Sequence, residues 1–294
     1  MDNNEYVQLD LFGNVAERKS DLKREFGGAN PFSILDAKDS MWQARKKHWN
    51  SLGIKSEVGR DATTYNFKDW ADSKTRNTMP SDTSIFDPVL CELMYRWFCP
   101  EGGTILDPFA GGSVRGIVAN YLGYHYTGID IRQEQVDSNN EQADAILGAG
   151  NKPNWIVGDS NIVLNDELGQ FDLVFTCPPY ADLEVYSDLD GDISNMKYPQ
   201  FIIAFEEIMT KACKQLKHGG MAIVVVGEIR DKKGNYYGFV ADTVKFMQGI
   251  DGMNFYNDAV LATSLVSAGL RAGGNMKSSK LVKIHQNILT FRKD

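Results

Sequence analysis

Apolar residues recur with two different periods over most of the chain after residue 80. Short apolar runs, such as FDLVFT at 171–176, alternate with longer segments whose apolar residues have helical spacing. The first pattern predicts strands at 104–108, 125–131, 154–158, 172–177, 221–228, 256–264 and 284–292. The second predicts helices at 86–98, 113–122, 132–147, 200–217 and 237–248. Strands that alternate with helices indicate a doubly wound α/β sheet.

The first 80 residues carry a weaker pattern. Residues 1–29 are polar and end in two glycines, which predicts a flexible tail. Residues 30–80 predict a small helical appendage, with one helix near 39–52 and irregular connections rich in Ser, Thr, Asn and Asp. The main domain is then expected to span residues 81–294.

Composition narrows the class of protein. With 294 residues and 43% hydrophobic content the chain can bury a full core, which excludes a disordered or fibrous protein. The four cysteines form no C-x-x-C pair and the four histidines have no ligand spacing, so we expect no metal, no disulfide framework and a cytoplasmic setting. No apolar run approaches the roughly 20 residues that span a bilayer, and the acidic start lacks the basic region of a signal peptide.

The net charge conceals an uneven distribution. The formal charge of −8 argues against a generic nucleic-acid binder. However, residues 268–293 contain six basic and no acidic side chains, and WQARKKHW at 42–49 interleaves basic and aromatic ones. Two local positive surfaces are therefore expected.

Unusual residues follow the first three strands, at the edge where ligands bind in such a sheet. In ILDPFAGGSVRG (105–116), Gly111 and Gly112 open a helix and leave the backbone accessible to a ligand. Asp130 lies nineteen residues after Gly111, close to the interval at which an acid meets ribose hydroxyls. Asp159 offers a carboxylate to an amine such as the N6 of adenine. Each feature alone also fits an ordinary turn or cap, but together they indicate a nucleoside cofactor.

The residues CPPY (177–180) end the fourth strand and complete a resemblance to a known family. DPFAGG (107–112) resembles the cofactor motif of the S-adenosylmethionine-dependent DNA amino-methyltransferases, and CPPY resembles their catalytic [DNS]-P-P-[YFW] tetrad. PFSILDA together with CPPYADLEVYSD resembles a subgroup encoded by bacteriophages and prophages. The resemblance covers residues 30–293, with the motifs in the family's gamma order.

The resemblance implies a fold, a cofactor and a reaction. The fold is a Rossmann-like seven-stranded sheet with an antiparallel last hairpin. The reaction transfers a methyl group from S-adenosylmethionine to a flipped adenine (N6) or cytosine (N4) in double-stranded DNA, with adenine favoured, in a bacterial or phage-infected cell. The implied cofactor residues are Asp107, Phe109, Gly111, Gly112, Asp130 and Asp159. The implied catalytic residues are Cys177, Pro178, Pro179 and Tyr180.

The chemistry accounts for a rigid corner after a strand. An exocyclic amine is a poor nucleophile and must be held in line with the methyl group. The proline rings fix their own φ angles, so the carbonyl of Pro178 can accept a hydrogen bond from the amine. Tyr180 can stack on a base taken out of the duplex.

Cys177 departs from the family pattern, because a thiol is a weaker acceptor than Asp, Asn or Ser. Three readings are open: Pro178 does most of the orienting; a depressed pKa makes Cys177 a thiolate; or Cys177 attacks a pyrimidine ring while Glu228 protonates it, as in carbon-5 methyltransferases. An RNA or small-amine enzyme and a non-catalytic nucleic-acid-binding module are further alternatives. The presence of every cofactor residue favours activity.

The segment 267–283 is the first candidate DNA surface. It has no apolar periodicity and several glycines, which predicts a flexible arm whose Arg271, Lys277 and Lys280 bind phosphates. A plain surface loop is the alternative. The segment WQARKKHW is the second candidate DNA surface, in which Arg45 or Lys46 would reach a groove and contact bases. The alternative is an amphipathic helix that its two tryptophans dock on the sheet.

The tail contains an apolar cluster that something should bury. Its pentapeptide QLDLF (8–12) resembles the peptide by which bacterial polymerases and repair proteins dock on the replication sliding clamp. Leu11 and Phe12 would fill an apolar pocket while Gln8 hydrogen-bonds at its edge. The alternative is that the same residues pack on the protein's own domain.

Overall fold

An eight-stranded mixed sheet with helices on both faces forms the fold. The computed structural model describes residues 26–54, 86–180, 187–263 and 266–294, apart from the side chains of residues 266, 267, 270 and 271. Its strands are β1 (Ile34–Asp36), β2 (Thr104–Asp107), β3 (His125–Asp130), β4 (Asn154–Val157), β5 (Phe171–Thr176), β6 (Leu216–Val226), β7 (Met253–Ala262) and β8 (His285–Lys293). Its helices are α1 (Ser40–Ser51), α2 (Pro88–Phe98), α3 (Val114–Tyr121), α4 (Gln133–Leu147), α5 (Ser160–Val163), α6 (Tyr198–Lys214), α7 (Phe239–Gly249) and α8 (Val266–Met276). The α/β fold class predicted from the alternating pattern is confirmed.

The strand order defines where a ligand can bind. The sheet runs β1-β7-β8-β6-β5-β2-β3-β4, and β8 is antiparallel to both of its neighbours. The strands β4-β3-β2-β5-β6 follow the 3-2-1-4-5 order of a doubly wound nucleotide-binding sheet, with β2 as its first strand. The connections change direction between β2 and β5, so the binding crevice lies outside the carboxyl ends of these two strands. We call this side of the sheet the carboxyl edge.

Two apolar layers hold the sheet between the helices. Alternate residues of a strand enter opposite layers: Ile105 packs with α2 and α3, whereas Leu106 packs with α6 and α7. Each helix in these layers buries one apolar side against the sheet, which is the main stabilising contribution in such a fold. None of the described helices is long and apolar enough to cross a bilayer.

The structure adds one strand to the seven that were expected. Ile34 and Leu35 of β1 pair in parallel with Val260 and Leu261 of β7, at the end of the sheet. The strand is only three residues long and buries a single side chain, Leu35, so it has too few positions to show a period. Part of the segment predicted as a helical appendage therefore belongs to the sheet itself.

Helix α1 docks on α2 through its two tryptophans. Trp42 and Trp49 are buried, and Trp49 Nε1 donates to Oε2 of the fully buried Glu92 at 2.9 Å. Arg45 forms an ion pair with Glu92, and Lys46 forms one with an aspartate of the α2 N-cap. WQARKKHW is thus a docked amphipathic helix whose Arg45 and Lys46 are paired with acids, and the suggestion that it reads bases loses its support.

The prediction of a flexible arm between the last two strands is wrong in part. Residues Val266–Met276 form α8, in which Ala268 is buried. The glycines disfavour a helix locally, but a tertiary contact outweighs this preference. After α8 the chain turns at Ser279, with φ +55°, and runs irregularly to β8.

Candidate functional site

The carboxyl edge brings together the residues that follow five parallel strands. Asp107 pairs in register with Gly128 of β3, and Asp130 pairs with Val157 of β4. On the other side of β2, the end of β5 leads directly into Cys177. The sequence expectation that the strand-end residues meet at one edge is therefore met by the fold.

Asp107 is the centre of a buried polar network. It is fully buried, and its Oδ1 accepts hydrogen bonds from Phe109 N at 3.1 Å and Thr176 Oγ1 at 2.7 Å. Its Oδ2 accepts from Tyr126 Oη at 2.8 Å and Arg115 Nε at 2.5 Å. These bonds tie the turn after β2 to the last residue of β5. Asp107 therefore fixes the position of the turn after β2 relative to the end of β5.

The charge of Asp107 is balanced by Arg115. Burial by itself lowers the pKa of Arg115, but the adjacent carboxylate outweighs it and raises that pKa above its usual value. The guanidinium also donates to the carbonyls of Phe109 and Ala110. A charged, fully bonded pair thus fixes the backbone of the turn, where Gly111 adopts φ +50°.

A second chain of hydrogen bonds joins Asp130 to the same turn. Asp130 Oδ1 accepts from Arg132 N at 2.9 Å, and Arg132 Nη2 donates to Gln135 Oε1 at 2.7 Å. Gln135 in turn donates to Asn139 at 3.0 Å, and Asn139 Nδ2 donates to Gly111 O at 2.8 Å. Helix α4 therefore links the end of β3 to the glycine turn.

Asp159 lies next to Asp130 through the backbone. Gly158 N donates to Asp130 O at 2.9 Å, and Asp159 caps α5 by accepting from Asn161 N at 2.8 Å. Gly191, with φ +89°, packs against its carboxylate so closely that a Cβ there would lie 2.5 Å from Oδ2. The 187–192 segment thus covers Asp159. Among the described residues, no group of His, Cys, Asp and Glu can hold a metal ion.

The CPPY corner stands between β5 and β6. Pro178 is buried, whereas Cys177, Pro179 and Tyr180 are half-buried. The Tyr180 ring meets Phe239 edge-on, with 6.2 Å between the centroids. A Cβ on Gly227 would lie 3.5 Å from its Oη, which also accepts from Gln286 Nε2 at 3.5 Å. Three elements, β6, α7 and β8, therefore position the ring.

Glu228 has a different role from the one considered for a carbon-5 reaction. Its two oxygens accept the backbone N–H groups of Phe239 at 3.2 Å and Val240 at 3.1 Å, at the start of α7. A carboxylate at a helix N-terminus satisfies backbone N–H groups that have no partner within the helix. Glu228 accordingly caps the start of α7, and the nearby Arg230 donates to Gly234 O.

The remaining predicted residues are distributed outside this site. Lys277 is exposed, Lys280 lies against Gly234, and the side chain of Arg271 is outside the described residues. Gln8, Leu11 and Phe12 also lie outside them, as do residues 181–186.

Sequence reasoning missed several supporting residues. Gln135 and Asn139 are polar yet fully buried, four positions apart on α4, and polar side chains at such core-facing positions are a signal that a pattern search can find. Thr176 and Gln286 gave no comparable signal, because nothing local distinguishes them from neighbouring residues.

One family model and several solved structures are similar to this chain. A model described as DNA methylase matches residues 30–141. No curated protein matches the chain. TrmN from Thermus thermophilus is 12% identical, with 71% of this chain and 49% of that chain covered and a TM-score of 0.48, so this chain spans about half of its length.

Two other solved structures are similar over most of their length. Magnesium protoporphyrin IX methyltransferase (ChlM) from Synechocystis PCC 6803, crystallised with bound S-adenosylmethionine, is 14% identical, with 86% of this chain and 96% of that chain covered and a TM-score of 0.46. PH1948 from Pyrococcus horikoshii, named as a candidate RNA methyltransferase, is 16% identical, with 85% and 98% covered and a TM-score of 0.49.

The residues at the carboxyl edge fit a nucleoside cofactor. The carboxylates of Asp130 and Asp159 follow adjacent strands and can accept hydrogen bonds from hydroxyl and amine donors, while the turn at Gly111 exposes backbone. Phe109 adds a partly buried ring. Groups of these kinds can bind the hydroxyl and amine groups of a nucleoside. Residues 30–141 thus match the family model described as DNA methylase, and the strand order and strand-end residues agree with a methyltransferase of the S-adenosylmethionine-dependent type.

Proposed function

We propose that the protein methylates the exocyclic amine of a flipped base in double-stranded DNA, with the N6 of adenine favoured over the N4 of cytosine. The observation that carries the proposal is the rigid corner at 177–180, which follows β5 at the switch point of the sheet beside the turn after β2. A fixed hydrogen-bond acceptor and an aromatic ring next to a nucleoside-binding turn suit an amine on a flat base. The enzyme would act in a bacterial or phage-infected cytoplasm.

The corner at 177–180 orients the target amine and provides no protein nucleophile. Because the prolines fix the backbone, the carbonyl of Pro178 stays aimed as an acceptor and draws the amine towards its pyramidal, nucleophilic form. Tyr180 stacks on the flipped base, and its contacts with Phe239 and Gln286 hold the ring ready for it. Cys177, as a weak acceptor, contributes less to orienting the amine than the carbonyl of Pro178.

The residues that follow β2, β3 and β4 bind the cofactor in this proposal. Asp130 holds the ribose hydroxyls, Asp159 accepts from the adenine amine, and the backbone of Gly111 and Gly112 with the ring of Phe109 lines the rest. Asp107 positions this turn through its buried hydrogen bonds. When bound, S-adenosylmethionine supplies the electrophilic methyl group.

The alternative reactions have less support from these residues. A carbon-5 reaction needs a proton donor near Cys177, and Glu228 is engaged as a helix cap. An RNA substrate fits the same corner and is separated from DNA by the experiment below. A binding module without catalysis has no need of the intact set of cofactor residues.

We also propose that Arg271, Lys277 and Lys280 bind DNA phosphates. All three follow β7 on α8 or in the turn after it, and no acidic residue lies between 268 and 293. Phosphate contacts of this kind add affinity without sequence preference.

Product identification tests the proposal. Amplified, unmethylated duplex DNA is incubated with the protein and methyl-labelled cofactor, then digested to nucleosides and identified by mass, with RNA of the same sequence in parallel. We expect label in N6-methyladenine, and N4-methylcytosine also agrees with amine transfer. Label only in 5-methylcytosine, or only in RNA, contradicts the proposal.

The variant Tyr180→Ala tests the role of the aromatic ring, and Tyr180→Phe is its matched control. Loss of the stacking ring should lower turnover about 100-fold, the cost of misplacing the base. Cofactor binding, measured by calorimetry, should be unchanged because the cofactor residues follow other strands. Tyr180→Phe keeps the ring and should keep most of the turnover.

A further inference from the structure

A short loop after β6 carries a dense group of cations and aromatic rings. In this 230–237 loop, the guanidinium carbon of Arg230 lies 3.7 Å above the ring centroid of Tyr236, and Nη1 donates to Gly234 O at 2.6 Å. A backbone bridge joins the same two residues across the loop. The cation and the ring therefore hold each other in place.

The loop is ordered by its own hydrogen bonds. Asp231 Oδ1 accepts from Asn235 N at 2.8 Å, and Asp231 O accepts from Gly234 N at 2.9 Å, which closes a tight turn. Lys232 and Lys233 stand at the tip of this turn and are both exposed. Tyr236 is 46% exposed despite its contact with Arg230. The loop therefore presents an aromatic ring and cations together to solvent.

A second segment adds a cation to the loop. Lys280, from the irregular chain after α8, lies over Gly234 so closely that a Cβ there would be 2.2 Å from Nζ. Four cations thus converge on one small surface, and the carboxylate of Asp231 is the acid within the loop. The surface is positive on a chain whose formal charge is −8.

The 230–237 loop lies beside the candidate catalytic corner. A Cβ built on Gly227, directly after β6, would lie 3.5 Å from the Tyr180 hydroxyl, and the loop begins three residues later. Gln286, which also contacts Tyr180, lies in β8 just after the segment that carries Lys280. The cations therefore flank the position proposed for the flipped base.

We propose that the 230–237 loop and Lys280 form a DNA-binding surface that holds the phosphates next to the target base. Exposed lysines suit the phosphate backbone as compact point charges, and the exposed Tyr236 suits the sugar or base face beside it. On a chain whose formal charge is −8, a positive surface at this position also orients the duplex towards Tyr180. This inference rests on the DNA substrate of the proposed function and deepens it.

Removal of the tip lysines tests the surface. Binding of the full-length protein to a fluorescent duplex is measured by anisotropy over a salt series, for wild type and for K232Q/K233Q. The slope of log K against log salt should become shallower by about 1.8, because each lost phosphate contact removes about 0.9. The control is K214Q/K245Q, which removes two exposed lysines near the opposite edge of the sheet and should leave the slope unchanged. Thermal melting and cofactor affinity should match wild type in both variants.

The outcomes distinguish a failure of the proposed DNA-binding surface from a failure of the proposed methyl transfer. An unchanged slope in K232Q/K233Q overturns the inference, even when wild type methylates DNA. An equal change in K214Q/K245Q also overturns it, since the effect would then be one of net charge. If wild type binds duplex DNA through these lysines yet transfers no methyl group to it, the surface stands and the proposed reaction fails. A slope change seen only with RNA overturns the assignment to DNA.

Discussion

At the scale of single residues, Cys177 differs from the other cysteines in its surroundings. Burial raises the pKa of Cys99 and of Cys213 to about 12 and the pKa of Cys91 well above its usual value, whereas Cys177 is half-buried at the corner. The thiolate is the reactive form, so at pH 8 iodoacetamide should modify Cys177 in the native protein and the other three only after unfolding. Peptide mass mapping measures this order of labelling.

The serine variant separates the two roles considered for this thiol. Cys177→Ser should take up no label in its native state and should keep methyl transfer, because amine chemistry needs no cysteine nucleophile. Loss of turnover with intact cofactor binding would instead support covalent attack on a pyrimidine. Native labelling of Cys91, Cys99 or Cys213 would contradict the burial described above.

At the scale of elements, Glu92 joins α1 to α2. Its buried carboxylate accepts from Arg45, Arg96 and Trp49, so Glu92→Gln removes the negative charge and places an amide donor against other donors. The free energy of unfolding should fall by about 2 to 4 kcal/mol, measured by urea denaturation. The exposed Glu206→Gln should change it by less than about 0.5 kcal/mol. Equal stability of the two variants would show that α1 docks through its tryptophans alone.

Helix α2 also connects this docking to the site. Tyr95 Oη donates to the backbone carbonyl of Arg115 at 2.9 Å, and Arg115 in turn fixes the turn after β2. The helix that carries Glu92 on one side therefore supports the turn after β2 on the other.

At the scale of the whole molecule, the tail leaves the described fold away from the candidate site. Phe26 O accepts from Trp97 Nε1 at 2.9 Å, near the end of α2 and the start of β2, opposite the carboxyl edge. The first described residue therefore lies at the edge of the sheet opposite the candidate site. Attachment to a sliding clamp would raise the enzyme's effective concentration on replicating DNA.

Surface plasmon resonance with a bacterial sliding clamp tests this role of the tail. Wild type should bind, and the double variant Leu11→Ala, Phe12→Ala should lose binding, because the two apolar anchors fill the pocket. Val7→Ala, Val15→Ala changes apolar residues outside the pentapeptide and should bind normally. Absence of wild-type binding, or undiminished binding of the double variant, rules the role out.

Much of this protein follows from local sequence. The period of apolar residues predicts each of β2 to β8 and most helices to within a few residues, because burial on one face imposes that period directly. The positions of Asp130, Asp159 and the CPPY corner at strand ends follow for the same reason, since parallel strands bring their carboxyl ends to one edge.

Only the tertiary structure decided how these parts are joined. β1 enters the sheet by pairing with a strand more than 200 residues away, and α8 forms where its glycines argue for an arm. Asp107 meets Thr176 and Tyr180 meets Gln286 across 69 and 106 residues. Such contacts form only when packing brings groups that are far apart in the sequence within hydrogen-bond distance. The local spacing of apolar residues does not determine which groups these are.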